Sequence, residues 1–169
     1  MWIDQTYRII LFGHRDFNGH NIVEENLFSL LKDLIKEKQF VEIYVGRDGE
    51  FDIYAATIVK RVQRICGKDN NELICVLPYS KKDTVYYEKY YDRIIIPECI
   101  EKTHPKGAIT KRNRWMVEQS DLLICYVEHE QGGAYSALKY AKKLNKKSSI
   151  SQKSLILLRN ISPLSLTDI

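Results

Sequence analysis

The sequence contains few cysteines, prolines and glycines, and it has no long apolar run. Four cysteines, four prolines and eight glycines occur in 169 residues, which excludes collagen-like and linker-like architectures. A domain of this length needs no disulfide or metal to hold a core. No apolar stretch approaches the roughly 20 residues of a membrane-spanning helix. Residues 1–6 show no basic region followed by an apolar one, so we expect a cytoplasmic protein with no membrane partner.

The familiar metal, thiol and nucleotide motifs are also absent. The cysteines form no CxxC pair and the histidines no HExxH motif, so no metal site and no bound cofactor is predicted. Neither GxGxxG nor a P-loop occurs, so the sequence lacks the common motifs for binding dinucleotides and nucleoside triphosphates. The formal net charge of +4 permits phosphate-bearing ligands or nucleic acid without arguing for either.

What is present is an alternation of two apolar patterns. Short apolar runs predict buried strands at residues 8–12, 41–45, 73–77, 93–96, 122–127 and 155–158. Apolar residues spaced by three and four predict helices from Val23, from Ala55, at 83–91, at 110–119 and from Ala134. Strands and helices that alternate throughout predict an α/β fold, with a mostly parallel sheet and helices on both faces. We expect one domain over residues 1–169, with a core at about 7–158.

Glycines and charged residues follow the first two predicted strands. Ligands bind outside the carboxyl ends of the strands in open parallel sheets. Gly13 allows a ligand to approach the backbone, and His14 and Arg15 can hydrogen-bond a phosphate, unless this segment is an ordinary loop. Gly46 follows the second strand. Asp52, further along, either accepts hydrogen bonds from a ribose or caps the next helix.

Two later segments have the composition of a phosphate site. Residues 111–116 combine three cations with an amide and Trp115. This suits a phosphate-bearing ligand, or else a basic helix face with Trp115 packed on the core. Gly132 and Gly133 follow the fifth predicted strand and open a helix. Free N–H groups at such a position favour an anion.

Taken together, these segments resemble the SLOG superfamily of Rossmann-like proteins, in particular a small bacterial and phage branch of unknown function related to the YpsA proteins. The resemblance is carried by residues 13–15, by the pattern of Gly46, Gly49 and Asp52, and by residues 112–124 before the glycine pair. It implies a three-layer Rossmann-like fold that binds nucleotides or nucleotide-derived ligands, and some members bind single-stranded DNA. The candidate ligand-binding residues are Gly13, His14, Arg15, Gly46, Asp52, Arg112, Asn113, Gly132, Gly133 and Ser136.

The sequence departs from the catalytic motif of the enzymatic branch. The lonely-guy enzymes of the superfamily cleave the N-glycosidic bond of nucleoside 5′-monophosphates and carry Pro-Gly-Gly-x-Gly-Thr-x-x-Glu, which ends in a catalytic Glu. Here Tyr135 stands at the third glycine of this motif, Ser136 at the Thr and Lys139 at the Glu. A cation cannot replace that carboxylate. Glycosidase activity would need Glu50 or Glu130, and Glu50 is the candidate catalytic residue, although a lone loop Glu is more often simply solvated.

The sequence therefore favours a sensor or regulatory protein that binds a nucleotide-derived small molecule, such as an NAD-like or ADP-ribose-like compound or a nucleoside phosphate. One alternative is an N-glycosidase, phosphoribohydrolase or deoxyribosyl-transfer enzyme, so enzymatic activity is left open. Another is a nucleic-acid-binding or protein-regulating module that uses the lysines of residues 139–147 and the tyrosines of residues 79–91. Tyr and Trp side chains suit interfaces, so a homo-oligomer also stays open.

Overall fold

The computed structural model describes residues 5–82, 84–144, 147–152 and 155–159. For residues 86, 87, 147–152 and 155–159 the description is of the backbone alone. The strands are β1 (Thr6–Gly13), β2 (Phe40–Val45), β3 (Asn71–Val76), β4 (Arg93–Ile95), β5 (Leu122–Tyr126), β6 (Lys147–Gln152) and β7 (Leu155–Arg159). The helices are α1 (His20–Glu37), α2 (Glu50–Cys66), α3 (Thr84–Glu88), α4 (Pro105–Gln119) and α5 (Gly132–Lys143), with a 3-10 turn at Glu98–Ile100.

The strands form one seven-stranded sheet in the order β4-β3-β2-β1-β5-β7-β6. Strands β1 to β5 pair in parallel, whereas β7 runs antiparallel to both β5 and β6. The chain moves from β1 outward to β4 and then returns to place β5 on the other side of β1. The strand order therefore reverses between β1 and β5, and a crevice opens at the carboxyl ends of these two strands.

Helices cover both faces of the parallel part of the sheet. Because side chains alternate along a strand, Ile9 and Leu11 of β1 pack with the apolar residues of α1 and α2. Ile10 and Phe12 of the same strand pack with α4 and α5. Both faces of β1 are thus buried from Ile9 to Phe12, which is why this stretch is continuously apolar. The predicted three-layer α/β fold with a mostly parallel sheet is confirmed.

The element ends differ from the prediction in three places. Helix α4 begins at Pro105 rather than near residue 110, because Pro fits the first helical turn and His104 Nδ1 accepts a hydrogen bond from the Lys106 N–H. The predicted helix at 83–91 is the shorter α3, and Asp83 lies outside the described residues. The predicted alternation of strand and helix also fails at the last two strands, which form an antiparallel pair with no helix between them.

Candidate functional site

A cleft of about 370 Å³ opens at the carboxyl ends of β1, β2 and β5. It lies at the point where the strand order reverses, the usual ligand site of open α/β sheets. Its walls are the segments that follow these strands, the first turns of α2 and α5, and one face of α4. The lining residues are Phe12, Gly13, His14, Arg15, Asp16, Gly46, Asp48, Gly49, Asp52, Ile109, Arg112, Asn113, His129, Gly132, Gly133 and Ala134.

Every candidate ligand-binding residue except Ser136 lies on this lining. Ser136 lines a neighbouring groove instead. The prediction omitted Asp48, His129 and Ile109, which also line the cleft. Asp48 and His129 lie in segments that directly follow strands, so their place in the cleft could have been predicted from the sequence. Ile109 is brought in by α4, and the face that this helix turns to the cleft is visible only in the fold.

Arg112 is the most deeply placed cation of the cleft, with only 4% of its surface exposed. Its Nη1 donates to the carbonyl oxygen of Val76 at the end of β3, at 2.7 Å. Its Nε donates to Asn113 Oδ1 at 2.8 Å. Burial lowers the pKa of the guanidinium, and Asp52 opposes that shift. These contacts hold the guanidinium in one position, so its charge is fixed at the base of the cleft.

Gly46 lies between Arg112 and Asp52 and leaves room for both side chains. A Cβ atom built on Gly46 would lie 2.6 Å from Asp52 Oδ2 and 3.0 Å from Arg112 Nη1. Real Cβ atoms do not approach other atoms within 3.0 Å, so a larger residue here would displace the Asp52 carboxylate and press against the Arg112 guanidinium. Gly46, a predicted ligand-binding residue, is therefore also needed for the packing of the two charged groups.

Asp52 sits in the first turn of α2 with its carboxyl group turned into the cleft. Desolvation raises the pKa of this carboxyl to about 6, and repulsion from Asp48 adds to the rise. Attraction to Arg112 and hydrogen bonds from the backbone N–H groups of Asp48 and Gly49 act in the opposite direction. Asp52 is consequently ionised at pH 7 and largely protonated at pH 5.

His14 joins the segment after β1 to the segment after β5. Its Nε2 accepts hydrogen bonds from the backbone N–H groups of Glu128 at 2.9 Å and His129 at 3.3 Å. The two imidazole rings of His14 and His129 stack at 3.7 Å between centroids. Burial and the neighbouring His129 lower the pKa of His14, which favours the neutral ring that accepts these bonds. His14, which the sequence predicts to hydrogen-bond a phosphate, thus uses Nε2 to hold the wall of the cleft in place.

The N-terminus of α5 faces the cleft through two glycines. Gly132 has a φ of +85°, a backbone conformation that suits glycine. Gln131 precedes the helix and makes no side-chain capping bond. A Cβ atom on Gly133 would lie 3.4 Å from Asn113 Nδ2, so α4 and α5 meet closely here. The first N–H groups of α5, with the positive end of the helix dipole, are therefore presented beside the Arg112–Asn113 pair.

Glu50 holds two loops together at the rim of the cleft. Its Oε2 accepts a hydrogen bond from the Phe17 N–H at 3.1 Å, and its own N–H donates to the Arg15 carbonyl at 2.9 Å. Arg15 is exposed at the mouth of the cleft. Glu50 does not line the cleft, and its catalytic role stays a prediction.

No metal site and no membrane helix is found in the part of the chain that the structure describes. There, no group of three or more His, Cys, Asp or Glu side chains is arranged to hold a metal ion. No helix of the same ranges has the length and apolar character needed to cross a membrane.

Comparisons with known proteins place the chain among Rossmann-like α/β proteins. No protein-family model matches it, and no curated protein does. Among solved structures it is similar to DNA processing protein A from Helicobacter pylori, a protein with a unique single-stranded DNA binding mode. The identity is 20% and the TM-score 0.58, over 84% of this chain and 63% of that one. This match shows the fold alone, and the chain spans less than two thirds of the neighbour's length.

The fold is the Rossmann-like one that the resemblance to the SLOG superfamily implies. Membership of that superfamily and of its YpsA-related branch remains a prediction.

Proposed function

We propose that the protein binds a nucleotide or a nucleotide-derived small molecule in the cleft and acts as a sensor or regulatory protein. In this arrangement Arg112 and the N-terminus of α5 receive the phosphate. Asp52 accepts hydrogen bonds from the ribose hydroxyls, as acidic residues do in other α/β nucleotide sites. Arg15 at the mouth supplies a further cation to the phosphate.

The observation that carries this proposal is the position of the buried Arg112 guanidinium, which is hydrogen-bonded to Asn113, next to Gly133 at the start of α5. A buried guanidinium is costly to desolvate, and here its charge is fixed beside a helix N-terminus that has no side-chain cap. Both groups attract anions, and they approach the cleft from two different helices. A phosphate in the cleft would meet the cation and the free N–H groups together.

The positions of two residues favour binding over glycosidic cleavage. Glu50 is engaged by the Phe17 N–H and lies outside the cleft lining. Lys139, at the position of the superfamily's catalytic Glu, lies in the neighbouring groove. Neither arrangement places a carboxylate of the enzymatic pattern in the cleft.

Single-stranded DNA is the second candidate ligand. The structural neighbour is a protein that binds single-stranded DNA, and the cleft continues into a groove whose rim carries Arg114, Lys139 and Lys143. Such a cationic track beyond a single binding cleft is what a strand of several nucleotides requires.

Calorimetric titration with AMP, ADP-ribose and NAD tests the leading proposal. We expect at least one of them to bind, and Arg112→Met to weaken its binding by tenfold or more, because a hydrogen bond to a charged group contributes about 1.5–3 kcal/mol. Lys111→Ala is the matched control. It removes one cation from the adjacent, exposed position of the same helix, and we expect its affinity to stay within twofold of the native value.

Arg15→Glu provides a second variant in case Arg112→Met folds poorly. Arg15 is exposed at the mouth of the cleft, so the new carboxylate is accommodated and would repel a phosphate. We expect it to weaken binding by tenfold or more. The proposal would be overturned if none of the three compounds bound at millimolar concentration, or if folded Arg15→Glu and Arg112→Met both bound like the native protein.

A further inference from the structure

A groove with a volume of about 560 Å³ lies between α4 and α5, directly beside the cleft. Ile109, Thr110 and Asn113 of α4 form one wall, and Gly133, Ser136 and Ala137 of α5 form the other. The spacing of three and four on both helices means that one stripe of each helix faces the groove. The groove and the cleft share Ile109, Asn113 and Gly133, so the two compartments are continuous.

The groove is more strongly cationic than the cleft. Among the residues that the structure describes, its lining holds Arg114, Lys139 and Lys143 and no carboxylate, whereas the cleft lining includes Asp16, Asp48 and Asp52. The groove lining therefore carries more net positive charge than the cleft lining, and this charge attracts a phosphate.

Two of the groove cations lie against aromatic rings. The Arg114 guanidinium lies 5.3 Å from the centroid of the Tyr140 ring, and Lys139 Nζ lies 4.9 Å from that of Tyr135. A cation on a ring face keeps its outward N–H groups available and loses less side-chain freedom when it binds an anion. These side chains are arranged to receive a ligand along the groove.

Asn113 and Gly133 lie at the junction where a bound ligand would extend from the cleft into the groove. A phosphate held by Arg112 and the first N–H groups of α5 would lie next to this junction, because Asn113 accepts a hydrogen bond from Arg112 and lies close to Gly133. Any unit attached to that phosphate has the groove as its neighbouring surface. The cleft alone is near the lower limit of small-molecule pockets, about 300 Å³, and the addition of the groove brings the site well into their range.

We infer that the cleft and the groove form one two-compartment site, which selects a ligand of two nucleoside units joined through phosphate over a mononucleotide. The inference rests on the proposed function and specifies its ligand class. The first unit and its phosphate occupy the cleft, and the joining phosphate or the second unit lies on Arg114 and Lys139. Pyrophosphate-linked and phosphodiester-linked compounds share this chemistry.

The test compares the affinities of AMP, NAD and 5′-phosphorylated diadenylate by calorimetry at 0.15 M salt. We expect NAD or the diadenylate to bind the native protein at least tenfold more tightly than AMP. The one with the larger gain identifies the linkage. Lys139→Glu and Arg114→Glu should each reduce that affinity ratio by about tenfold. Lys142→Glu makes the same charge change on an exposed residue of α5 outside the groove lining, and it should keep the ratio.

The outcomes separate this inference from the proposed function. Equal affinities for AMP and both two-unit compounds would overturn the inference and leave the proposed function standing. So would a ratio that falls as far in Lys142→Glu as in Lys139→Glu, since that would indicate general attraction and not a defined groove. A lack of binding by all three compounds would overturn both. Because the substituted side chains are exposed, a change in the ratio does not depend on a folding defect.

Discussion

The carboxyl group of Asp52 combines a partly desolvated position with a nearby fixed cation. Burial raises its pKa to about 6 although Arg112 favours the ionised form. The unfolded chain has the ordinary value of 3.8, so the folded protein binds this proton more tightly. Stability contributed by this group is therefore gained as the pH falls through 6 towards 3.8, and it is absent above pH 7.

Asp52→Asn isolates this titration from all others. We expect the native protein, measured relative to the variant, to gain about 2 kcal/mol of unfolding free energy between pH 7.5 and pH 4.5. Urea unfolding of both proteins at the two pH values measures it. His14, whose lowered pKa acts in the opposite direction below about pH 6.5, is common to both proteins and cancels. A difference in stability that stays constant with pH would contradict the raised pKa.

Gly13 determines how closely β1 and α2 can pack. A Cβ atom on Gly13 would lie 2.0 Å from Cγ of Phe51, a fully buried ring in the first turn of α2. From sequence, Gly13 was expected to let a ligand approach the backbone. It does line the cleft, but the direct reason for glycine is that the Phe51 ring packs on it.

Gly13→Ala should destabilise the protein by about 1–3 kcal/mol, because the added methyl group has no space. Gly107→Ala is the matched control. Its Cβ would meet Thr103 Cγ2 at an ordinary 3.5 Å, and in the first turns of α4 alanine is the better helix former. The control should be neutral or slightly stabilising. Combining Gly13→Ala with Phe51→Ala, which removes the clashing Cγ and Cδ atoms, should cost less than the sum of the two single changes, and strict additivity in denaturant unfolding would argue against the proposed clash.

The elements that the sequence predicted well are those whose burial leaves a periodic pattern. Strands β1 and β5 lie in the centre of the sheet and each contains a continuous apolar run, so their position and type could be predicted. Strand β6 has the sequence Lys-Ser-Ser-Ile-Ser-Gln, with no apolar alternation to mark it. Its antiparallel pairing with β7 depends on the tertiary fold, which explains why the expected alternation of strands and helices failed there.

At the scale of the whole molecule, the cleft was predictable because sheet topology brings the ends of parallel strands together. Gly46 and Gly132 are distant in sequence, yet both follow strands and both line the cleft. Ser136 lies one helical turn beyond Gly133, where the lining passes from cleft to groove, and its role as a ligand-binding residue stays a prediction. The pairing of Glu50 with Phe17 links two loops, and no local pattern in the sequence records such a contact.

The distribution of charge over the molecule also limits how a nucleic acid can bind. The 26 basic and 22 acidic residues give little net attraction, so affinity for a strand must come from local clusters. Apart from the groove, cations line a cavity on the outer side of α2, including Lys60, Arg64 and Lys68. Lys60 and Lys68 are both paired with Asp92, which reduces their attraction for phosphate and leaves the groove as the expected track.

Salt dependence measures how many of these cations a single strand contacts. With Arg112, Arg114, Lys139 and Lys143 engaged, a 12-nucleotide thymidylate should bind with a slope of log affinity against log salt of about −2 to −3. Fluorescence anisotropy between 50 and 300 mM NaCl gives the slope. Lys139→Glu should make it shallower by about 0.7 or more, while Arg64→Glu in the α2 cavity should leave it unchanged. A slope near zero would exclude the single-stranded DNA candidate. If Arg64→Glu changed the slope and Lys139→Glu did not, the DNA would bind at the α2 cavity and not in the groove.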